Sequence, residues 1–323
     1  MSRAHPHETD PARPAAAGVP VIYIAGLHRS GTTLLGLLLA QAIQAEFVGE
    51  LEILWQRGVI ENRLCGCGVE FSTCPFWTRV GAQGFGGWSK DHAQHMISLK
   101  TRISRRRYMP WLLRGRGDGA WNRAFQEYVD TTARLYRAAH DAAEGRALID
   151  SSKTPTHAAT LTSAASNINI RLVHIVRDSR GVAYSKTKKQ ALLDRPGAMH
   201  ERFPPLRTGI DWLRDNLLIE RVRAARIKTS LVRYEDLASE PWAVIQGIIR
   251  DLELTGLVTD GSALGSDLAV THSVAGNPMR FSAGGREVRV DDEWRGKMRR
   301  RDQLAVGALT WPLLIRYGFV RSR

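Results

Sequence analysis

The stretch "AGLHRSGTTLLGLL", residues 25–38, holds a phosphate-binding pattern with one member replaced. Gly26, Gly31 and Thr33 keep the spacing of the nucleotide-triphosphate loop G-x-x-x-x-G-K-[ST]. Thr32 takes the lysine position, and Arg29 lies inside the loop. A glycine turn that opens a helix aims backbone N–H groups and the positive helix end at an anion. Ser30, Gly31, Thr32 and Thr33 are therefore candidate anion contacts, with Arg29 supplying charge. In a triphosphate enzyme the lysine bridges the β- and γ-phosphates, and Mg²⁺ neutralises the rest. A ligand with two acidic units at its 5′ end, one of them a singly charged sulfuryl group, needs less neutralisation and no metal. The pattern points to a phosphosulfate.

Four further fragments place polar groups at the ends of β-branched runs: Glu50 after "EFVG", Ser151-Ser152-Lys153 after "RALID", Arg177 after "LVHIV" and Tyr234 after "SLVR". Sulfuryl transfer to a hydroxyl needs a base for the acceptor proton and cations around the bridging oxygen. Glu50 lies 21 residues past Arg29, one helix down and one strand back, which returns it beside the loop as the candidate base. Glu52 is the alternative. Arg29 and Lys153 are the candidate stabilisers of charge on the leaving phosphate, with a hydrogen bond from Ser273 in addition. Asp150 would suit a magnesium site only beside the loop lysine that is missing. His28 is read as solvent-facing, with no proton-transfer role.

The elements that must position these groups are legible in outline. Strands are predicted at 19–26, 46–50, 146–150, 168–178 and 229–237. Helices are predicted over 32–45, 91–113, 119–143, 179–193, 205–226, 239–252 (capped by Ser239) and 299–316. Strands alternating with helices imply an α/β protein with a mostly parallel sheet flanked by helices in three layers. In such sheets ligands gather at the carboxyl ends of the strands, which brings all five polar fragments to one edge. Residues 1–19 read as a disordered tail, and the segment at about 57–120 as a Cys- and Gly-rich, partly helical insertion whose first part, 57–90, lacks periodicity.

Several of these fragments also resemble one family. "GLHRSGTTLL" is similar to the 5′-phosphosulfate loop of sulfotransferases that use 3′-phosphoadenosine 5′-phosphosulfate (PAPS), and "VRDSRGVAYSK" resembles their second motif. There an arginine and a serine eight residues later hold the 3′-phosphate; here they are Arg177 and Ser185. "VRYEDL" and "HSVAGNPMRF" resemble later cofactor-contacting segments, especially of the bacterial and tyrosylprotein branch. The resemblance, spanning 20 to about 320, implies a P-loop-like fold in a single domain, 20–323, and in-line transfer from PAPS without a required metal. It also implies a catalytic glutamate after a glycine, matching Gly49-Glu50, and a lysine after the corresponding strand, matching Lys153. Lys189 and Arg280 are added as 3′-phosphate contacts. The cytosolic branch uses a histidine as base, for which this sequence offers no equivalent.

Bulk properties narrow the partners. The 323 residues carry 46 Lys plus Arg against 32 Asp plus Glu, a net charge of +14, which favours an anionic ligand or surface. No nucleic-acid signature accompanies the scattered arginines, so no nucleic-acid partner is expected. The basic segment near residue 100 allows peripheral contact with an acidic membrane. The absence of a secretory signal or a long apolar run suggests a cytoplasmic protein, peripheral at most to the inner membrane face. Cys65, Cys67 and Cys74 are too few for a disulfide framework. Their spacing matches no standard zinc knuckle, even with His92 or His95, so they read as part of a structural loop over the acceptor pocket. The acceptor is expected to be a hydroxyl compound: a sugar, phenol, glycolipid or natural product. A P-loop kinase and a non-catalytic anion- or nucleic-acid-binding protein are the alternatives.

Overall fold

Every residue but one of strand β1, Val19–Ala25, is buried, because helices cover both faces of the sheet it centres. Its side chains alternate. Val21 and Tyr23 join one core, and Ile22 and Ile24 join the other. The computed structural model describes residues 18–163, 167–189, 199, 201–225, 227–257, 270–281 and 291–320. The remaining strands are β2 (Glu46–Gly49), β3 (Leu148–Lys153), β4 (Ile168–Val176) and β5 (Thr229–Arg233). All pairings within this sheet are parallel, in the order β2-β3-β1-β4-β5. The chain moves to one side of β1 for β2 and β3 and to the other for β4 and β5. The crevice where this order reverses lies at the carboxyl end of β1, where the glycine loop begins.

Helix α1 (Thr32–Ile43) packs on the Ile22–Ile24 face, where α10 (Pro241–Asp251) supplies Ile245, Ile248 and Ile249. The opposite face is covered by α5 (Gly119–Ala142), α6 (Pro155–Ser163) and α8 (Pro205–Arg223). Helices α2 (Pro75–Phe85), α3 (Lys90–Ile103) and α4 (Met109–Arg114) extend that core. The chain is completed by α7 (Ser179–Ser185), α9 (Tyr234–Ser239), α11 (Trp294–Lys297) and α12 (Arg300–Arg316). No described helix is long and apolar enough to cross a membrane.

The structure revises several boundaries. The helix expected over 91–113 is two helices, broken at Ser104 and resumed with Pro110 in the first turn of α4. The segment 57–90 is not irregular throughout: α2 runs for 11 residues, with Pro75 opening it and Gly86 ending it at φ +67°. Its two internal glycines hid that periodicity. Strand β3 continues three residues beyond the expected Asp150. The strand expected through Leu237 ends at Arg233, where the chain turns into α9. Ser239 closes α9, its hydroxyl donating to the Asp236 carbonyl, and does not cap α10, which begins at Pro241. Of the expected tail, 1–17 lie outside the described residues, while Val19 is already buried in β1. The helix expected to run to Leu193 is described only through Ser185 and the turn after it.

One buried group makes stability pH-dependent. His174, in β4, is fully buried; its Nε2–H donates to Asn216 Oδ1 at 2.8 Å, while Nδ1 has no hydrogen-bond partner among the described residues. Burial pushes its pKa down to about 4, with nearby Arg223 adding to the effect. A folded-state pKa below the unfolded value means that protons bind the unfolded chain first as pH falls. This contribution to stability is full above about pH 6.5 and is lost as pH falls towards 4, up to about 3 kcal/mol in all. Urea unfolding at a series of pH values should show this loss, and His174→Gln should remove that part of it.

Candidate active site

The β1–α1 loop is held in a conformation that a generic turn would not adopt. Arg29 (φ +78°) and Gly31 (φ +86°) are both left-handed. A side chain at Gly31 is doubly excluded, since a Cβ there would lie 2.5 Å from the Tyr234 ring. That ring is the wall against which the loop rests. Thr33 Oγ1 accepts from the Asn277 N–H at 3.2 Å, tying the start of α1 to the 270–281 segment. Ser30 is 1% exposed, and its hydroxyl has no hydrogen-bond partner among the described residues. A buried orphan hydroxyl beside helix-terminal N–H groups can donate to an anion seated in the loop.

Tyr234 also carries Arg177, whose guanidinium stacks 4.6 Å from the ring centroid. Arg177 donates to the Arg29 carbonyl at 3.0 Å and to the Asp291 carbonyl at 2.8 Å, and pairs with the Asp291 carboxylate at 3.1 Å. The expected contacts Arg29, Arg177 and Tyr234 thus form one unit around the loop. Burial first, and then repulsion from Arg177, pulls the Arg29 pKa below its ordinary value. Cations crowded in this way favour an anionic ligand between them.

The second expected anion contact pairs Arg177 with Ser185. Ser185 is buried at the end of α7. The lysine that joins Arg177 is Lys188: its Nζ is 3.7 Å from Asp291 and 3.0 Å from Glu293. Lys189, chosen from the sequence on the assumption of continued helix, is exposed because α7 stops at Ser185. Although burial pushes Asp291 up, Arg177 and Lys188 hold its carboxyl below the ordinary range. Arg280, the other expected 3′-phosphate contact, is engaged by backbone in this structure. Its guanidinium is buried and donates to the Ser273 carbonyl at 2.6 Å and the Leu64 carbonyl at 3.1 Å, so it clamps two loops together.

Across the loop, Lys153 and Glu50 form a buried ion pair through Nζ and Oε1. Lys153 has φ +74°, a strained value for a residue with a side chain, and pairs in register with Ala25 at the root of the loop. Asp150 braces that bend: Oδ1 accepts from the Ser152 N–H at 2.7 Å and the Ser152 hydroxyl at 2.5 Å, and Oδ2 accepts from Tyr136. Both its oxygens are used within the fold. Glu52, the alternative base, is likewise committed, to Thr154 at 2.6 Å and Lys100 at 3.0 Å. Glu50 Oε1 and the Thr33 hydroxyl both lie within 4 Å of where a Cβ at Gly276 would stand, which puts Glu50 near the start of α1. Ser273 lies beside Gly49, but its hydroxyl accepts from Thr271 at 3.4 Å and abuts Gly66. It faces the cysteine loop.

A cavity of about 150 Å³ opens beside Lys153, lined by His28, Lys186, Arg106, Asp211 and Asp215 among others. His28 is exposed at its mouth, as the sequence reading had it, yet it faces the lysine of the site. Burial among its neighbours first, and then the Lys153 ammonium, lowers its pKa, an effect that the residue's exposure to solvent tempers. Neutral at physiological pH, it can accept a hydrogen bond from a hydroxyl in the cavity. The three cysteines converge on His272, the first residue of "HSVAGNPMRF", whereas His92 packs on Trp55 and Phe85 and His95 pairs with Glu127.

A parallel sheet opening at its switch point into an arginine-flanked glycine loop is a P-loop-like α/β fold. The chain belongs to the sulfotransferase family, whose model matches residues 20–260. Among solved structures it is similar to the sulfotransferase domain of the Synechococcus PCC 7002 olefin synthase, at 18% identity over 93% of this chain and 96% of that one, TM-score 0.48. The sulfotransferase domain from the curacin biosynthetic pathway is 15% identical over 91% and 98% of the two chains, TM-score 0.45. Sulfotransferase STF9 from Mycobacterium avium is 15% identical over 74% and 64%, TM-score 0.40. No curated protein matches the chain.

Proposed function

We propose that the protein transfers a sulfuryl group from PAPS to a hydroxyl of a sugar, phenol, glycolipid or natural product. The observation that carries this reading is the loop with its orphan Ser30 hydroxyl, flanked by Arg29 and Arg177 and lacking the P-loop lysine. The 5′-phosphosulfate sits in the cradle of Ser30, Gly31, Thr32 and Thr33, and the 3′-phosphate displaces Asp291 from Arg177 and Lys188, near Ser185. The acceptor hydroxyl enters through the cavity beside His28. Its oxygen forms a bond to sulfur as the sulfur–oxygen bond to the 5′-phosphate breaks, in line. Donor binding draws Lys153 and Arg29 to the bridging oxygen, where negative charge accumulates. Glu50, released from Lys153, takes the acceptor proton. The products are the sulfate ester and adenosine 3′,5′-bisphosphate.

Labelled PAPS and labelled ATP, each offered with a cell extract as acceptor source, with and without Mg²⁺, test the donor. Sulfuryl transfer without added Mg²⁺ and no transfer from ATP is expected. Mg²⁺-dependent phosphoryl transfer from ATP would replace this reading with a kinase.

A further inference from the structure

We propose that Cys65, Cys67, Cys74 and His272 bind one zinc ion that pins the cysteine loop to the segment behind the candidate base. The four ligand atoms lie within 4.8 Å of one another. Cys74 Sγ is 3.6 Å from both Cys65 Sγ and Cys67 Sγ, and His272 Nδ1 is 3.3 Å from Cys74 Sγ and 3.9 Å from Cys65 Sγ. A tetrahedral zinc with Zn–S of about 2.3 Å and Zn–N of about 2.0 Å separates its ligands by about 3.5–3.8 Å. These four separations bracket that range, and the remaining two pairs, Cys65–Cys67 and Cys67–His272, stay within 4.8 Å. They are far too long for a disulfide, whose sulfurs lie about 2.05 Å apart, and one cysteine would be left over in any pairing.

The surroundings are built to hold these atoms. The Leu64–Glu70 bridge closes the loop; Cys65 N–H donates to the Val69 carbonyl at 2.7 Å, and Gly68 N–H to the Cys65 carbonyl at 2.9 Å. This tight turn presents two sulfurs to one side. The N–H groups of Cys67 and Trp77 face the sulfurs of Cys65 and Cys74. Cys74 stands at the N-terminus of α2, where the helix favours a thiolate. His272 arrives from 198 positions along the chain and is fixed on three sides. Its ring stacks on Phe76 at 4.8 Å, its carbonyl accepts from Trp77 Nε1 at 2.9 Å, and its N–H donates to Glu46 at 3.2 Å. Three sulfurs and one imidazole, with no further ligand among the described residues, describe a closed structural site, and a thiolate-rich set selects zinc among abundant divalent ions. Binding converts three thiols to thiolates and releases their protons to solvent.

The ion links two parts of the chain that meet at the site. Gly66 N–H donates to the Ser273 carbonyl at 2.9 Å, and Val274 N–H to the Val48 carbonyl at 3.1 Å, directly before Gly49-Glu50. The metal therefore braces the backbone that sets Glu50, without touching the reacting atoms. Its existence is independent of the donor reading, so the tests below read metal and folding.

The full-length chain, purified without chelators or a histidine tag, is analysed by plasma mass spectrometry. About one zinc per chain is expected. Cobalt in its place should give the visible absorption of a tetrahedral thiolate site. His272→Gln should lose most of the zinc and lower the melting temperature. Cys67→Ser, at the least buried sulfur, provides a second variant should His272→Gln fold poorly. Stripping zinc from the native protein should bring its melting temperature towards that of the variants, and re-addition should restore it. A native protein that carries no zinc, takes none up from solution and melts unchanged in its presence would overturn the proposal, as would a disulfide within the cluster in freshly purified protein.

Discussion

Replacing Glu50 by glutamine is expected to lower kcat by about 10²–10⁴-fold while changing affinity for adenosine 3′,5′-bisphosphate by less than about threefold. The substitution keeps the shape of the side chain and its contact with Lys153 but removes the ability to take a proton. The effect should therefore fall on the chemical step. Glu52 offers the internal comparison. Its carboxylate is bound by Thr154 and Lys100, so Glu52→Gln should affect stability more than turnover. Steady-state kinetics of both variants, with donor binding measured separately, distinguish the roles. A Glu50→Gln enzyme with unchanged kcat/KM would remove Glu50 as base and direct attention to His28, the neutral acceptor at the cavity mouth.

Lys153→Ala should be more damaging, because it does two things at once. It removes a cation from the bridging oxygen, which costs about 10²–10³-fold in kcat. It also leaves Glu50 buried without its partner, and breaking a buried pair from one side costs about 3–5 kcal/mol of stability. The double variant Glu50→Gln/Lys153→Met separates the two losses, since it removes both charges. It should regain most of the melting temperature and none of the activity. Single and double variants equally unstable would mean that the pair is not the source of the loss. A stable and active Lys153→Ala would contradict its place beside the leaving group.

The sheet was legible because its strands are β-branched runs buried on both faces, and the loop because glycine spacing is a backbone requirement. Tyr234, Arg177 and Lys153 were brought beside the loop by one rule, that polar residues at the ends of parallel strands share an edge. The rule has limits where chemistry depends on helix length or on distant contacts. Lys188 meets Asp291 beside Arg177 while Lys189 is exposed, a difference that the end of α7 at Ser185 sets and no local signal announces. Arg280 has a motif position yet serves two carbonyls, which only the folded loops reveal. His272 joins the cysteines across nearly two hundred residues, a separation that no spacing rule reaches. The strain at Lys153 was equally hidden, since nothing in "DSSK" specifies a left-handed lysine.

Calorimetric titration of the native protein and of Arg177→Met with adenosine 3′,5′-bisphosphate tests the central claim most directly. One site per native chain is predicted, weakened about 10–100-fold in the variant by loss of charge-assisted hydrogen bonds to the 3′-phosphate. A native protein that gives no binding heat with this ligand at several temperatures, and no gain in melting temperature in its presence, would contradict the account.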